Sequence, residues 1–327
     1  MDGMRRKLLR RSRYLSEIRD FFTERDYGEA ETPILSPFLI PEAALEVFST
    51  RYLSPYGGDR EMYLIPSPEL WMKRLLAMGS GSIFQISRSF RNVESVTAMH
   101  NPEFTLLEWY TVGASYMDSI RVAEGLFSRL LSLSDTVDAG PLSPPFRRMS
   151  MNEAFLAYAG IDLAACGEAE LLRSAALGRG IEVARGSRWD DAFHTVYVAA
   201  VEPALPRDRP IVLYDWPAAV PTTARRKPET PWAERWELFV RGIEVANCYS
   251  EETDPAEALR FLETESERKR GCRVLHAADE EYARSVVPSL PACSGAALGV
   301  DRLLMAFWNE PSIEGVIFFP FSDMLAH

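Results

Sequence analysis

Three stretches of this chain put arginines, carboxylates and aromatic rings where strands should present them. In RSFRNVESVTAMHNPEFTLLEWY, residues 88 to 110, Arg91 ends one expected strand while Phe104 and Glu108 lie on the next. A strand arginine facing a strand ring can clamp a phosphate and stack a planar base, which lets an antiparallel sheet hold a nucleotide. Neither GxGxxG after a strand nor GxxxxGK[ST] occurs in the sequence. In ERWELFVRGIEVANCYSE, residues 234 to 251, a two-residue turn at Arg241 and Gly242 pairs Phe239 with Glu244. Glu237 then lies diagonally from Glu244 on the same face, and two such carboxylates can hold Mg2+ against phosphates. In CSGAALGVDRLLMAFW, residues 293 to 308, Gly295 and Gly299 allow close backbone approach, and Arg302 offers a guanidinium in the first turn of a helix. Each stretch alone also fits cross-strand packing or a solvated ion pair.

The elements that must position these residues follow from periodicity. Leu15, Ile18, Phe21 and Phe22 mark a helix over residues 4 to 26, broken by YGEAETPILSP into an extended segment with Pro33 and Pro37. SPELWMKRLLAM, residues 67 to 78, has a serine cap, a proline at the first helical position and an early glutamate. Residues 83 to 91 and 102 to 110 predict an antiparallel hairpin, and strands return at 210 to 217 and 234 to 251. Helices are expected at 117 to 133, 151 to 158, 168 to 177 and 253 to 270. Antiparallel strand pairs with helices between them predict an α+β fold, an antiparallel sheet flanked by helices. We expect one domain over residues 1–327, with an insertion around 134–210 where Ala, Gly and Pro abound and periodicity is weak.

The net charge of -11 opposes tight binding of nucleic acid, and the basic runs RRKLLRRSR and ARRKP read as solvated charge. In Asn247 a further constraint appears. A plain hairpin gives it the opposite parity to Glu244, so both can face one ligand only if a bulge lies near Ala246. Four scattered cysteines (Cys166, Cys248, Cys272, Cys293) and four histidines support neither a disulfide framework nor a zinc site, and a reducing, cytoplasmic setting fits. No run reaches the length of a membrane span, and the N-terminus lacks an apolar targeting core.

Taken in order, the long helix and strand with Pro33, then FRNVE and HNPEFTLLEWY, then GIEVANCYSE and GAALGVDRLL, closely resemble the three signature motifs of class II aminoacyl-tRNA synthetases, in particular the lysine branch. The resemblance spans residues 5 to 310 and is closest to the truncated lysyl-tRNA synthetase paralogues that attach (R)-β-lysine to translation elongation factor P. The first motif begins almost at Met1, so no N-terminal anticodon-binding OB-fold and no tRNA partner are expected. Where lysine synthetases read Gly-Leu-Gly-Ile-Gly this chain reads GAALG, and Ala297 replaces a glycine as in those paralogues.

The resemblance implies the following roles. ATP is the cosubstrate, with Mg2+ held by Glu237 and Glu244. Arg91 and Arg302 act in catalysis as the α- and γ-phosphate ligands, and Phe104 stacks on adenine. Asn92, Val93, Glu94, His100, Asn101, Glu244, Val245 and Gly299 complete the ATP site. Ser67, Pro68, Glu69, Glu108, Tyr110, Asn247, Glu251 and Ala297 form the site for lysine or β-lysine, where carboxylates select a cationic substrate. The family has a glutamate directly after FRN and an arginine in the following turn. Here Val93 takes the first place, and the turn VESVTAM has no basic residue, so Glu94 is expected to take the adenine-reading role. Elongation factor P is the implied protein substrate, and a homodimer through the first motif is implied as well. Two other readings fit the same residues: an α-lysine activator that serves tRNA or another amine, and a catalytically silent paralogue that binds ATP or amino acid.

Overall fold

The computed structural model describes residues 2–93, 96–133 and 139–325. The strands are β1 (Gly28–Glu29), β2 (Leu35–Ser36), β3 (Phe48–Tyr52), β4 (Arg60–Leu64), β5 (Ile83–Phe90), β6 (Glu103–Val112), β7 (Arg147–Ser150), β8 (Ile211–Pro217), β9 (Trp232–Val240), β10 (Ile243–Ser250) and β11 (Cys293–Gly299). The α-helices are α1 (Asp2–Thr23), α2 (Glu69–Ala77), α3 (Tyr116–Leu131), α4 (Met151–Ala154), α5 (Ala169–Leu177), α6 (Trp189–Val196), α7 (Pro255–Arg268), α8 (Val300–Trp308) and α9 (Phe321–Leu325). Eight strands form one sheet in the order β1-β5-β6-β11-β10-β9-β8-β7, and β2-β4-β3 form a smaller one.

The large sheet is antiparallel from β5 across to β8, as the sequence predicts. Its two edges differ from the expectation, because β1 joins β5 and β7 joins β8 in parallel. These edge strands are two and four residues long, too short to show an alternation in sequence.

Period-two alternation gives the sheet one apolar face and one chemical face. Phe84, Leu107, Trp109, Trp236, Leu238, Ala296 and Leu298 pack with α1, α3 and α8 in one core that includes Phe21, Phe22, Phe127 and Phe307. Their immediate neighbours in sequence, among them Glu108, Tyr110, Glu237 and Ala297, point the other way. A buried ion pair fastens the layers: Arg11 on α1 lies 2.7 Å from Asp301 on α8. Asp301 also accepts the Thr105 backbone N–H, and Arg11 donates to the Thr105 hydroxyl, so α1, β6 and the start of α8 share one anchor.

The hairpin of β9 and β10 turns at Arg241 and Gly242, both with positive φ (54° and 79°), the requirement of a tight turn that matches strand twist. The pairing Glu244 with Phe239 slips by one residue before Ala246 pairs with Leu238, which is the bulge that the parity of Asn247 demanded. Glu237 and Asn247 are consequently direct cross-strand partners, and Glu244 shares their face.

Residues from Met151 to Leu205, within the stretch read as an insertion, pack a core of their own around Phe155, Phe193 and Tyr197 against β8 and Phe239 of β9. The first residues of that stretch, 134 to 138, lie outside the described residues. No helix among the described residues is long and apolar enough to cross a membrane.

Candidate active site

The chemical face of the sheet forms the floor of a cavity of about 610 Å³. Its lining includes Arg91, His100, Asn101, Phe104, Glu237, Glu244, Val245, Gly299 and Arg302 at one end and Ser67, Glu69, Glu108, Tyr110, Asn247 and Ala297 at the other. Residues from three distant parts of the sequence therefore converge in one space.

At the first end, Arg91 leaves β5 just after its last ladder residue, held by its N–H to the Pro102 carbonyl. Its guanidinium lies over the Phe104 ring, 5.2 Å from the centroid. Arg91 Nε is buried with no hydrogen-bond partner, an uncompensated donor that suits an anion such as a phosphate. Arg302 donates to the Glu244 carbonyl at 3.1 Å, approaches the Glu244 carboxylate at 3.4 Å and meets His100 Nε2 at 2.7 Å. A guanidinium only donates, so Nε2 is the acceptor and the His100 ring proton sits on Nδ1, 3.1 Å from the Thr97 hydroxyl.

Glu237 is buried and takes a hydrogen bond of 2.8 Å from Arg235. Burial, and then the Glu244 charge, push its carboxyl up to about 8 despite Arg235. A divalent cation would relieve the repulsion that Glu237 feels from Glu244. No cluster of three or more metal-ligating side chains occurs among the described residues, so such an ion needs other donors. Mg2+ bound by one or two carboxylates plus substrate phosphates has that composition.

At the second end, β11 runs between β6 and β10. Ala297 pairs with Glu108 on one side and Asn247 on the other, forming the floor between two polar side chains. Ser67 donates to Glu108 at 2.5 Å and accepts the Glu69 N–H at 3.0 Å. The cap of α2 thus differs from the expectation: Pro68 occupies the cap position without a side-chain bond, and the Ser67 hydroxyl serves as a bridge to Glu108. Glu69 accepts from the Tyr249 hydroxyl at 2.9 Å and from Thr223 at 3.3 Å. Burial and the neighbouring Glu69 push Glu108 up to about 8, and burial pushes Glu251 up to about 7 against the pull of Lys73. A pocket with this excess of carboxylate favours a cationic ligand.

Several expected contacts lie elsewhere. Asn92 spends its side chain on the Val47 carbonyl and the Val93 N–H, while Val93, at φ 57°, points to solvent. Neither lines the cavity, and Glu94 lies outside the described residues. Pro68 is buried behind the wall and shapes α2. Asn101 lines the cavity, but its amide is used to lock the loop, donating to the Glu103 carbonyl and accepting the Phe321 N–H. Glu251 sits beneath Gly295, where an added Cβ would stand 2.3 Å from its carboxylate, and it is absent from the lining.

The structure also adds residues that local patterns did not reveal. Glu42, Glu265 and Arg268 line the cavity from loops and α7, and Asp190, Asp191 and His194 reach it from α6. Lys73, fully buried, lies 2.5 Å from both Glu69 and Glu251. Its spacing of four residues from Glu69 on α2 was the one legible signal for it.

Residues 1–323 match the family model described as tRNA synthetases class II (D, K and N). Similar curated proteins include elongation factor P (R)-β-lysine ligases of Haemophilus influenzae strain PittGG, 35% identical over 317 residues, and of Pectobacterium carotovorum subsp. carotovorum strain PC1, 38% identical over 317 residues. The matches cover 96% and 95% of this chain, respectively, and 94% of each relative. A third, from Yersinia enterocolitica, is 37% identical over 318 residues, covering 96% of this chain and 94% of the relative.

Proposed function

Because the chain belongs to the class II tRNA synthetase family and to its elongation factor P (R)-β-lysine ligases, we propose that it activates (R)-β-lysine with ATP and passes the β-lysyl group to a lysine of elongation factor P. The observation that carries this reading is one cavity with an arginine whose buried Nε has no partner, over an aromatic ring at one end, and converging carboxylates at the other.

In this reading Arg91 binds the α-phosphate and stabilises the charge that builds there as the substrate carboxylate attacks in line and pyrophosphate leaves, its bond to the α-phosphorus breaking as the new one forms. Phe104 supplies the stacking face for adenine. Arg302, oriented by His100 and Glu244, binds the terminal phosphate. Glu237 and Glu244 hold Mg2+, which when bound neutralises phosphate charge. The chain supplies no covalent nucleophile in this account, so the rate enhancement comes from positioning and electrostatics. Glu69 and Glu108 receive the ammonium groups, with Tyr110 and Asn247 beside them and Ala297 as the floor. The acceptor amine then attacks the acyl carbon as a free base, forming the C–N bond as the bond to AMP breaks. An acceptor that is a translation factor sets the reaction in the cytoplasm and needs no tRNA, and α1 with the strand beyond Pro33 provides a surface for a two-fold homodimer.

The test is pyrophosphate exchange with ATP, Mg2+ and either lysine isomer. Exchange that depends on (R)-β-lysine supports the reading, and a well-folded protein with no exchange on either isomer overturns it.

A further inference from the structure

Lys73 has no part in the chemistry described above, yet it is the most completely enclosed cation near the cavity, with 0% exposure. It projects from α2 between Glu69 and Glu251, 2.5 Å from each. Its ammonium also lies over the Tyr249 ring at 5.4 Å and the Tyr282 ring at 6.0 Å. The other titratable groups that feel it are Glu108 on β6 and Cys293 on β11. Glu42 stands near Glu69 too, but the cations Arg91 and Lys269 act on it. Isolating an ammonium from water is costly, so a buried lysine persists where its partners compensate it fully. Here two carboxylates face one ammonium, while a third, Glu108, is held by hydroxyls alone.

We propose that Lys73 is a specificity-determining positioning residue, a fixed internal cation that reduces the charge of Glu69, Glu108 and Glu251 to a formal -2, the complement of a ligand with two ammonium groups. An amino acid with a single ammonium leaves one carboxylate uncompensated in an enclosed site and is rejected for that reason. Without the internal cation, the three carboxylates repel one another more strongly and hold their protons to higher pH, so the ligand must displace a further proton to pair with them. The inference rests on the function proposed above.

The experiment compares pyrophosphate exchange by the full chain as wild type, Lys73→Met and Lys73→Arg between pH 6.5 and 8.5, with thermal melting as the check on folding. Lys73→Met is expected to raise KM for (R)-β-lysine about tenfold at pH 7, the effect of one unit in a carboxylate's proton affinity, with kcat little changed. The deficit should shrink to less than about threefold at pH 8.5 as the carboxylates ionise again, and Lys73→Arg should keep the wild-type pH profile. A structural role alone predicts a loss that does not recover with pH. If Lys73→Met does not fold, Lys73→Gln decides in its place, since its amide can still donate to a carboxylate without carrying the charge. That variant should show the same rise in KM at pH 7 and the same recovery at pH 8.5, and an unmoved KM or a pH-independent loss overturns the proposal. An inactive wild type sinks the functional reading and the inference with it. An active wild type whose Lys73→Met variant has an unmoved KM, or a pH-independent loss, sinks the inference alone.

Discussion

Arg302 Nη2 lies 2.7 Å from His100 Nε2, joining the start of α8 to the loop between β5 and β6. That contact makes the neutral imidazole an acceptor and aims a guanidinium into the cavity. Arg302→Ala should lower the rate of adenylate formation about 10² to 10³-fold, the usual effect of removing a donor to developing charge. His100→Ala should cost about tenfold or less, because it loosens the guanidinium without removing it. Single-turnover rates with melting curves check both. Equal losses would show that His100 does more than orient Arg302.

Phe104 is the expected platform for adenine. Phe104→Ala should raise KM for ATP by an amount near ~1–3 kcal/mol, the range for loss of one base stack, while KM for the amino acid stays close to wild type. Steady-state kinetics in each substrate separates the two, and a rise confined to the amino acid would move the adenine elsewhere.

Gly295 and Gly299 are both on β11, but their surroundings differ. A Cβ at Gly295 would stand 2.3 Å from the Glu251 carboxylate and 2.4 Å from the Tyr110 ring, whereas one at Gly299 meets nothing closer than 3.8 Å. Gly295→Ala should destabilise the protein by about 1–3 kcal/mol through overpacking and damage amino-acid binding. Gly299→Ala should melt near wild type. Denaturant titration of both variants checks the contrast, and equal stability would show that the Glu251 and Tyr110 side chains move aside.

The buried carboxylates make the unliganded protein sensitive to alkali. Glu108 is pushed to about 8 and Glu251 to about 7, above the ordinary value of 4.5, so the folded state holds protons that the unfolded chain has released. Stability falls with rising pH wherever the folded state binds more protons, here from about pH 5 to about pH 8. Melting temperature should therefore drop across that window, and added (R)-β-lysine should reduce the drop by pairing the carboxylates. A flat profile without ligand would show that they are already ionised.

The sequence was most legible where backbone geometry left one solution. The turn at Arg241 and Gly242 fixed the register of β9 and β10, and requiring Asn247 on the face of Glu244 located the bulge before Ala246. On β6 the structure sets Leu107 and Trp109 in the core and Glu108 and Tyr110 in the cavity. Strands β3 and β4 escaped because neither carries an apolar period, and β3 is largely exposed. Asp190 and Glu265 escaped for another reason: each reaches the cavity through tertiary packing of its helix, and although Glu265 pairs with Arg268 one turn along α7, no local spacing records that Arg268 also reaches Asp190. The roles given to Asn92 and Val93 were read from the FRN signature, whereas neither residue lines the cavity and Val93 has a positive φ.

Ala297, paired with both Glu108 and Asn247, tests the choice between lysine isomers. Its methyl occupies the floor where lysine synthetases carry a glycine. Ala297→Gly should raise kcat/KM for α-lysine relative to (R)-β-lysine by about 10-fold or more, consistent with one to three kcal/mol for a methyl-sized change in a pocket. An unchanged ratio would assign the discrimination to another wall.

The most direct measurement is mass spectrometry of elongation factor P after incubation with the wild-type chain, ATP, Mg2+ and (R)-β-lysine. One lysine of the factor is expected to gain a single β-lysyl group, and Arg91→Ala is expected to abolish the gain while preserving the fold. An unmodified factor in the presence of active adenylate formation would contradict the proposed acceptor, and modification by the Arg91→Ala variant at the wild-type rate would contradict the proposed site.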